Sequence, residues 1–144
     1  MDTGHWTLSE GVNLEENPFG FVYLITNKAT GRKYVGKKQM VSKRTRKPLK
    51  GKKNKRRDVV ESDWKTYTSS SREINEDLIK YGKEQFEFII LRICNSKWEN
   101  AYYEIKEQIE RNVLLDDSYY NGIINVRIGT PNKETKEKFL ASSK

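Results

Sequence analysis

The sequence is poor in the side chains that build most small metal and thiol sites. It has one cysteine, Cys94, and one histidine, His5. A disulfide within the chain is therefore impossible, zinc sites made of Cys and His lack ligands, and catalysis by paired histidines is excluded. Cys94 closes the apolar run FEFIILRIC and reads as a small buried side chain. No window approaches the roughly 18 to 20 consecutive apolar residues needed to cross a bilayer. The polar, acidic N-terminus does not resemble a secretory signal, so a cytoplasmic protein is expected.

Acidic residues are missing from one long stretch. Between Lys28 and Arg57 there are fifteen Lys or Arg and no Asp or Glu, which leaves 13 basic against 20 acidic residues elsewhere, within a formal total of +8. Charge concentrated in this way points to a polyanionic partner, either nucleic acid or an anionic membrane surface. The bland alternative is a solvated face or arm. The run has no amphipathic apolar face, which disfavours the membrane. A chain of 144 residues is long enough for one modest core and not for two.

The residues that are present fall into an ordered series. Residues 1–18 read as a loosely ordered leader closed by Pro18, with Trp6 available to pack on the domain. Phe21, Tyr23 and Ile25 alternate with Val22, Leu24 and Thr26 at strand period, NKATG is a loop of hairpin length, and RKYVG returns as a second strand. Tyr23 and Tyr34 then stand on paired strands within reach of a common point. Lys43 to Arg57, with ten basic residues in fifteen and interruptions at Pro48 and Gly51, reads as an exposed loop or insertion. Ser70 with Glu73 forms a capping box for a helix that Gly82 ends, and Ile74, Leu78 and Tyr81 mark its apolar face. Phe86 to Cys94 is a third strand. Ser96 with Glu99 starts the longest helix, whose apolar stripe is Trp98, Tyr102, Ile105 and Ile109. SYYNGIINVRIG is available as a further strand, and residues 131–144 form a polar tail. This order predicts an α+β domain over residues 19–130, a central three- to four-stranded antiparallel or mixed sheet with flanking helices.

Phe21-Val22-Tyr23, ten intervening residues, then Tyr34-Val35-Gly36 resembles the signature hairpin of the GIY-YIG nuclease family. Phe21 departs from the glycine of the family's name, although Gly20 precedes it and Val22 replaces isoleucine conservatively. Arg44 lies ten residues after Tyr34, at the spacing of the family's catalytic arginine. LIKYGKEQFEFIIL is similar to the helix-to-strand segment of phage and intron-encoded members. Glu104 takes the place of the metal-binding glutamate, with Glu107 and Glu99 as alternatives. Tyr120-Asn121 matches the terminal Tyr-Asn, with Asn125 as a second candidate. The histidine that many members carry after the arginine has no counterpart here; a lysine of the basic run, a tyrosine or water fills its role.

The resemblance implies the GIY-YIG fold and a phage or mobile-element endonuclease, of homing type, that hydrolyses duplex DNA with one Mg2+ or Mn2+ per site. It would act in the bacterial host cytosol if phage-encoded. The implied catalytic residues are Tyr23, Tyr34, Arg44, Glu104 and Asn121, with Glu104 holding the metal. A single carboxylate suits Mg2+, which keeps several waters. Arginine offers a phosphate paired donors that lysine does not. Tyr23 is the favoured general base and Tyr34 the orienting group; a phenol of ordinary pKa near 10 needs nearby cations and a metal to lower it, and Lys37 and Lys38 follow the second strand. Lys37, Lys38, Lys43, Arg46, Lys47, Lys50, Lys52, Lys53, Lys55, Arg56 and Arg57 are the candidate nucleic-acid contacts. Specificity would come from the basic insertion, the chain ends, a protein partner or a homodimer. The rival reading is a non-catalytic basic nucleic-acid-binding protein on the same scaffold.

Overall fold

The structure, a computed structural model, describes residues 2–14, 18–46, 48–53, 56–125 and 127–142; the side chains of residues 43–46, 56–58 and 142 are not described. In chain order the elements are β1 (Thr7–Leu8), β2 (Gly20–Asn27), β3 (Lys33–Gln39), β4 (Val41–Arg46), β5 (Arg56–Glu61), α1 (Arg72–Tyr81), β6 (Phe86–Cys94), α2 (Lys97–Glu110) and α3 (Lys133–Ser142). The predicted hairpin is present: β2 and β3 pair antiparallel from Gly20↔Gln39 to Thr26↔Lys33. On its other side β2 pairs antiparallel with β6, and β1 runs parallel to β6. The sheet order β1-β6-β2-β3 makes this a mixed four-stranded sheet with β3 at its edge.

Two apolar clusters flank β2, which explains why its side chains are buried on both faces. Phe21, Tyr23 and Ile25 join Trp6, Trp64, Phe88, Ile90 and Ile74 of α1 on one side. Val22 joins Val35, Cys94, Val113, Tyr119 and Tyr103 of α2 on the other. Each large apolar side chain buried in this way contributes about 1.5–3 kcal/mol.

Several elements differ from the sequence expectation. The N-terminal residues, expected to be loose, add β1 to the sheet and bury Trp6, whose indole N–H donates to the Trp64 carbonyl at 2.5 Å. The basic segment is a strand pair rather than a loop: β4 and β5 pair from Val41↔Glu61 to Arg46↔Arg56. Antiparallel pairing closes locally and needs no apolar face of its own, and Pro48 and Gly51 fall in the connection. Helix α1 is capped by Ser71, not Ser70, because the Ser69 hydroxyl accepts the Ser71 N–H at 2.9 Å and the turn ends one residue later. The predicted cap of α2 is present, with Ser96 Oγ accepting the Glu99 N–H at 3.1 Å. Among the described residues, the expected terminal strand is reduced to one parallel bridge, Lys33↔Tyr119. Beyond it the Asn121 side chain, not the backbone, pairs with β3. The polar tail forms α3, and its Phe139 packs on Trp98 and Tyr102. Among the described residues no helix is long and apolar enough to cross a membrane.

Candidate active site

Strand register brings the two hairpin tyrosines together. Tyr23 lies opposite Gly36 and Tyr34 opposite Ile25, and the two rings stack with centroids 6.2 Å apart. Gly36 makes this arrangement possible, since a Cβ there would sit 2.5 Å from the Tyr23 phenol oxygen. The third residue of the YVG triplet is thus the floor on which Tyr23 lies. Gly20 has a comparable role one residue before the position where the family motif has its glycine: a Cβ there would sit 2.6 Å from Asn100 Nδ2 and from the Lys38 carbonyl. Phe21 itself is fully buried against Trp6 and Trp64, so the departure from the motif is a core residue in this chain. A third phenol, Tyr67, approaches the Tyr23 ring at 6.3 Å.

Helix α2 supplies the carboxylate by turning a polar stripe inward. Asn100, Tyr103, Glu104 and Gln108 are its buried residues, whereas Tyr102 and Ile109 of the expected apolar stripe are exposed. As the edge strand, β3 has outward backbone groups that need partners, and this stripe provides them. Gln108 Nε2 donates to the Val35 carbonyl at 3.0 Å, the Lys37 N–H donates to the Glu104 carboxylate, and Asn100 Nδ2 donates to the Lys38 carbonyl at 3.4 Å. The lengths match: eight helical residues rise about 12 Å, and three strand steps span about 10 Å. Asn121 completes the edge. Its Oδ1 accepts the Val35 N–H at 3.0 Å and its Nδ2 donates to the Val35 carbonyl at 2.9 Å. Its amide is therefore engaged through both its oxygen and its nitrogen by the strand that carries Tyr34.

Burial dominates the electrostatics. The Tyr23 phenol is held well above its ordinary pKa by burial, with Tyr34, Tyr67 and the Glu104 charge adding to the effect and a hydrogen bond from Ser69 opposing it. Tyr34 is only half-buried; burial and then Glu104 raise it, while hydrogen bonds from Ser69 and Ser70 pull it back. The expectation that Lys37 and Lys38 lower these phenols is not met. The Lys38 ammonium sits 2.7 Å from Asp63 and 4.1 Å above the Tyr67 ring, and the charge of Lys37 acts on Glu104. Glu104 is itself raised above the usual carboxylate range by burial, against the Lys37 charge and N–H bond. Tyr23, enclosed and strongly shifted, is thus the phenol that burial keeps more firmly protonated.

The other sequence candidates are spread more widely. Arg44 lies on β4 in register with Asp58, on the strand that follows β3 after Met40. The side chains of Arg44, Lys43, Arg46, Arg56 and Arg57, and all of Lys47 and Lys55, lie outside the described residues. Lys50, Lys52 and Lys53 are exposed in the hairpin connection. Of the alternative carboxylates, Glu107 pairs with Arg111 at 2.9 Å and Glu99 sits in the first turn of α2; Glu104 is the one coupled to both phenols. Asn125 lies apart from the phenols, in a cleft of about 480 Å³ that opens beside Lys37 and the N-terminus of α2. Among the described residues its cationic lining is Lys37, Lys97 and Arg127, with no carboxylate. His5 is structural, stacked on Phe88 with Nε2 2.9 Å from the Tyr67 carbonyl. Sequence reasoning missed Lys97, Arg127, Gln108, Tyr67 and Ser69. Only the polar i, i+4, i+8 spacing of Asn100, Glu104 and Gln108 offered a signal.

Among the described residues no group of three or more His, Cys, Asp or Glu gathers to hold a metal. Among the described residues the donor set at the phenols is a single carboxylate. Glu104 has about four acceptor sites, of which the Lys37 N–H takes one. That set fits a hard, oxygen-seeking divalent ion whose remaining ligands are water and phosphate oxygens.

These features define a small α+β domain with phenols and one buried carboxylate meeting at a sheet edge. Residues 6–124 match a family model described as "Putative endonuclease segE, GIY-YIG domain". The chain belongs to the GIY-YIG nuclease family, in the segE type. Comparison with curated proteins and with solved structures gave no match.

Proposed function

We propose that the chain is a metal-dependent endonuclease that hydrolyses phosphodiester bonds of duplex DNA at the β3 edge. The observation that carries this reading is the convergence of Tyr23, Tyr34 and the buried Glu104 carboxylate beside the edge strand β3. A binding module has no use for a desolvated carboxylate facing two phenols. Glu104 would hold one Mg2+ or Mn2+, which when bound supplies charge neutralisation at the phosphoryl oxygens.

The chain's own residues divide the remaining work. Tyr34, the half-exposed phenol, is the better placed to take a proton from the attacking water, and Tyr23 orients it from the enclosed side. This exchanges the roles the family resemblance implied, on the ground of burial. Arg44 is proposed to donate to the phosphate as negative charge develops. Asn121 and Gln108 fix the Val35 peptide next to Tyr34 and hold the phenol in place. Lys37, Lys97 and Arg127, beside the N-terminus of α2, suit the flanking phosphates of the strand, and the β4–β5 hairpin supplies further affinity.

The test is incubation of purified protein with supercoiled and linear DNA, with Mg2+ and with chelator, followed by mapping of the ends. Cleavage that needs the metal and leaves phosphate and hydroxyl ends is expected. Binding without cleavage in Mg2+ or Mn2+ would leave the chain a nucleic-acid-binding scaffold.

A further inference from the structure

The cleft beside Lys37 is built largely from residues outside the stretch that matches the family model. Val35 packs in the cluster that contains Tyr103 of α2, and Tyr34 against the cluster that contains Trp6. Lys37, two residues beyond Val35, therefore lies on the α2 face of β3, opposite the face of the phenols. Together with Lys97 of α2 and Arg127 it lines a cleft of about 480 Å³. Asn125, Ile128 and Asn132 complete the wall, and these and Arg127 follow the last matched residue, 124.

The groups in the cleft are largely unengaged. Among the described residues neither Lys97 nor Arg127 has an ion-pair partner, and the Asn125 amide makes no hydrogen bond. Asn132 Oδ1 accepts the Thr135 N–H at 2.8 Å, which leaves both Nδ2 protons to donate. Ser96 Oγ is taken by the Glu99 N–H at 3.1 Å, so the end of α2 is already capped and the attraction for an anion comes from the cations. One wall is aromatic and fixed in place. The Trp98 indole N–H donates to the Gly129 carbonyl at 2.6 Å, its ring stacks on Tyr102 at 4.9 Å, and Phe139 stands nearly perpendicular to it at 5.3 Å. A phosphate alone would use a small part of the volume, which is that of a site for a small organic molecule. The three kinds of lining group correspond to the three parts of a nucleotide: cations for the phosphate, an aromatic wall for the base, and unengaged amides for the base edge. A base inside a duplex is stacked and its edge is paired, so only an unpaired one can offer both to a cleft.

We propose that the cleft seats one unpaired nucleotide of the DNA strand, with Lys97 and Arg127 at its phosphate, Trp98 against its base and the Asn125 amide at the base edge. The inference rests on the nuclease reading and deepens it, because it names DNA with an unpaired or turned-out base as the form bound. Lys37 links the two regions, since its charge acts on Glu104 while its side chain lines the cleft.

Binding is measured in chelator, so that it is read apart from cleavage. Three labelled duplexes of one sequence are titrated: fully paired, with one bulged deoxyadenosine, and with an abasic residue in the bulge, which bends as easily but has no base. The base-bearing bulge is expected to bind about tenfold more tightly than the abasic one, within the range for one base stacked on an aromatic side chain. In protein labelled with 5-fluorotryptophan the Trp98 19F signal should move with the base-bearing bulge and not with the abasic one, while Trp6 and Trp64, buried in the core, serve as references. A Trp98 shift with the fully paired duplex as well would show that the protein turns a base out, and a shift confined to the bulge that it takes one already unpaired; both uphold the cleft as the seat. Replacing two exposed side chains together, Asn125→Ala with Arg127→Ala, should make the affinities for the two bulges equal and leave the unfolding temperature unchanged. Equal affinity of the wild-type protein for both bulges, a stationary Trp98 signal, or a preference that survives in the double variant would each overturn the inference. Absence of cleavage in Mg2+ or Mn2+ overturns the nuclease reading instead, and a preference for the base-bearing bulge then still upholds the cleft as a nucleotide site.

Discussion

A methyl group at residue 36 would sit 2.5 Å from the Tyr23 oxygen, 2.6 Å from its Cζ and 2.9 Å from Tyr34 Cε1. Both rings would have to move, and Tyr23 is enclosed on every side. Gly36→Ala is therefore expected to cost about 1–3 kcal/mol, the usual range for overpacking, and to lower turnover by more than the stability loss explains. Thermal unfolding and cleavage at saturating DNA measure the two effects. The phenols themselves separate by exposure. Tyr34→Phe should lower turnover by about 10² or more if its phenol is the base, and Tyr23→Phe by less. The reverse order, measured under single-turnover conditions, would return the base to Tyr23. At this scale the tyrosines and Glu104 were legible because the family resemblance fixed their order along the chain. Ser69 in the turn before α1 was not, since its left-handed backbone leaves no mark in the run TYTSSS; nor was the pairing of Lys38 with Asp63, which forms only in three dimensions.

Among the elements, α2 shows why periodicity alone misjudged a face. Its Trp98, Tyr102 and Ile109 stripe is the more apolar, yet the helix lies along an unpaired strand edge, where peptide groups favour Asn, Glu and Gln over Ile. Backbone satisfaction outweighed hydrophobic burial, and the displaced aromatics were covered in part by Phe139 of α3. The β2–β3 hairpin, β6 and the positions of α1 and α2 were readable from alternation, caps and Gly82, whereas α3 was not. Strand pairing in the basic segment was not, because charge density gives no register. That hairpin carries the next prediction. Neutralising Lys50, Lys52 and Lys53 in the connection should weaken binding to all duplex sequences. For every phosphate that is no longer neutralised, the log-log salt slope should shrink by about 0.9, with turnover at saturating DNA retained. Titration of labelled DNA at several salt concentrations reads both quantities, and an unchanged slope would mean that the hairpin tip does not meet the backbone.

For the molecule as a whole, the site is held at some expense of stability. Burial raises Glu104 above the usual 4.5, so between its unfolded and folded pKa the native state binds more protons than the unfolded chain. Stability from this group accordingly falls as pH rises through that window and stays lost at neutral pH. Glu104→Gln removes the desolvated charge but keeps an oxygen to accept the Lys37 N–H, so its unfolding temperature at neutral pH should equal or exceed that of the wild type. The same substitution should abolish the chemistry. The most direct measurement is the single-turnover cleavage rate of Glu104→Gln at saturating duplex DNA with Mg2+, alongside its DNA affinity. The expected result is a loss of about 10² or more in rate with affinity within a few-fold of wild type; near wild-type cleavage would contradict the assignment of the β3 edge as the active site.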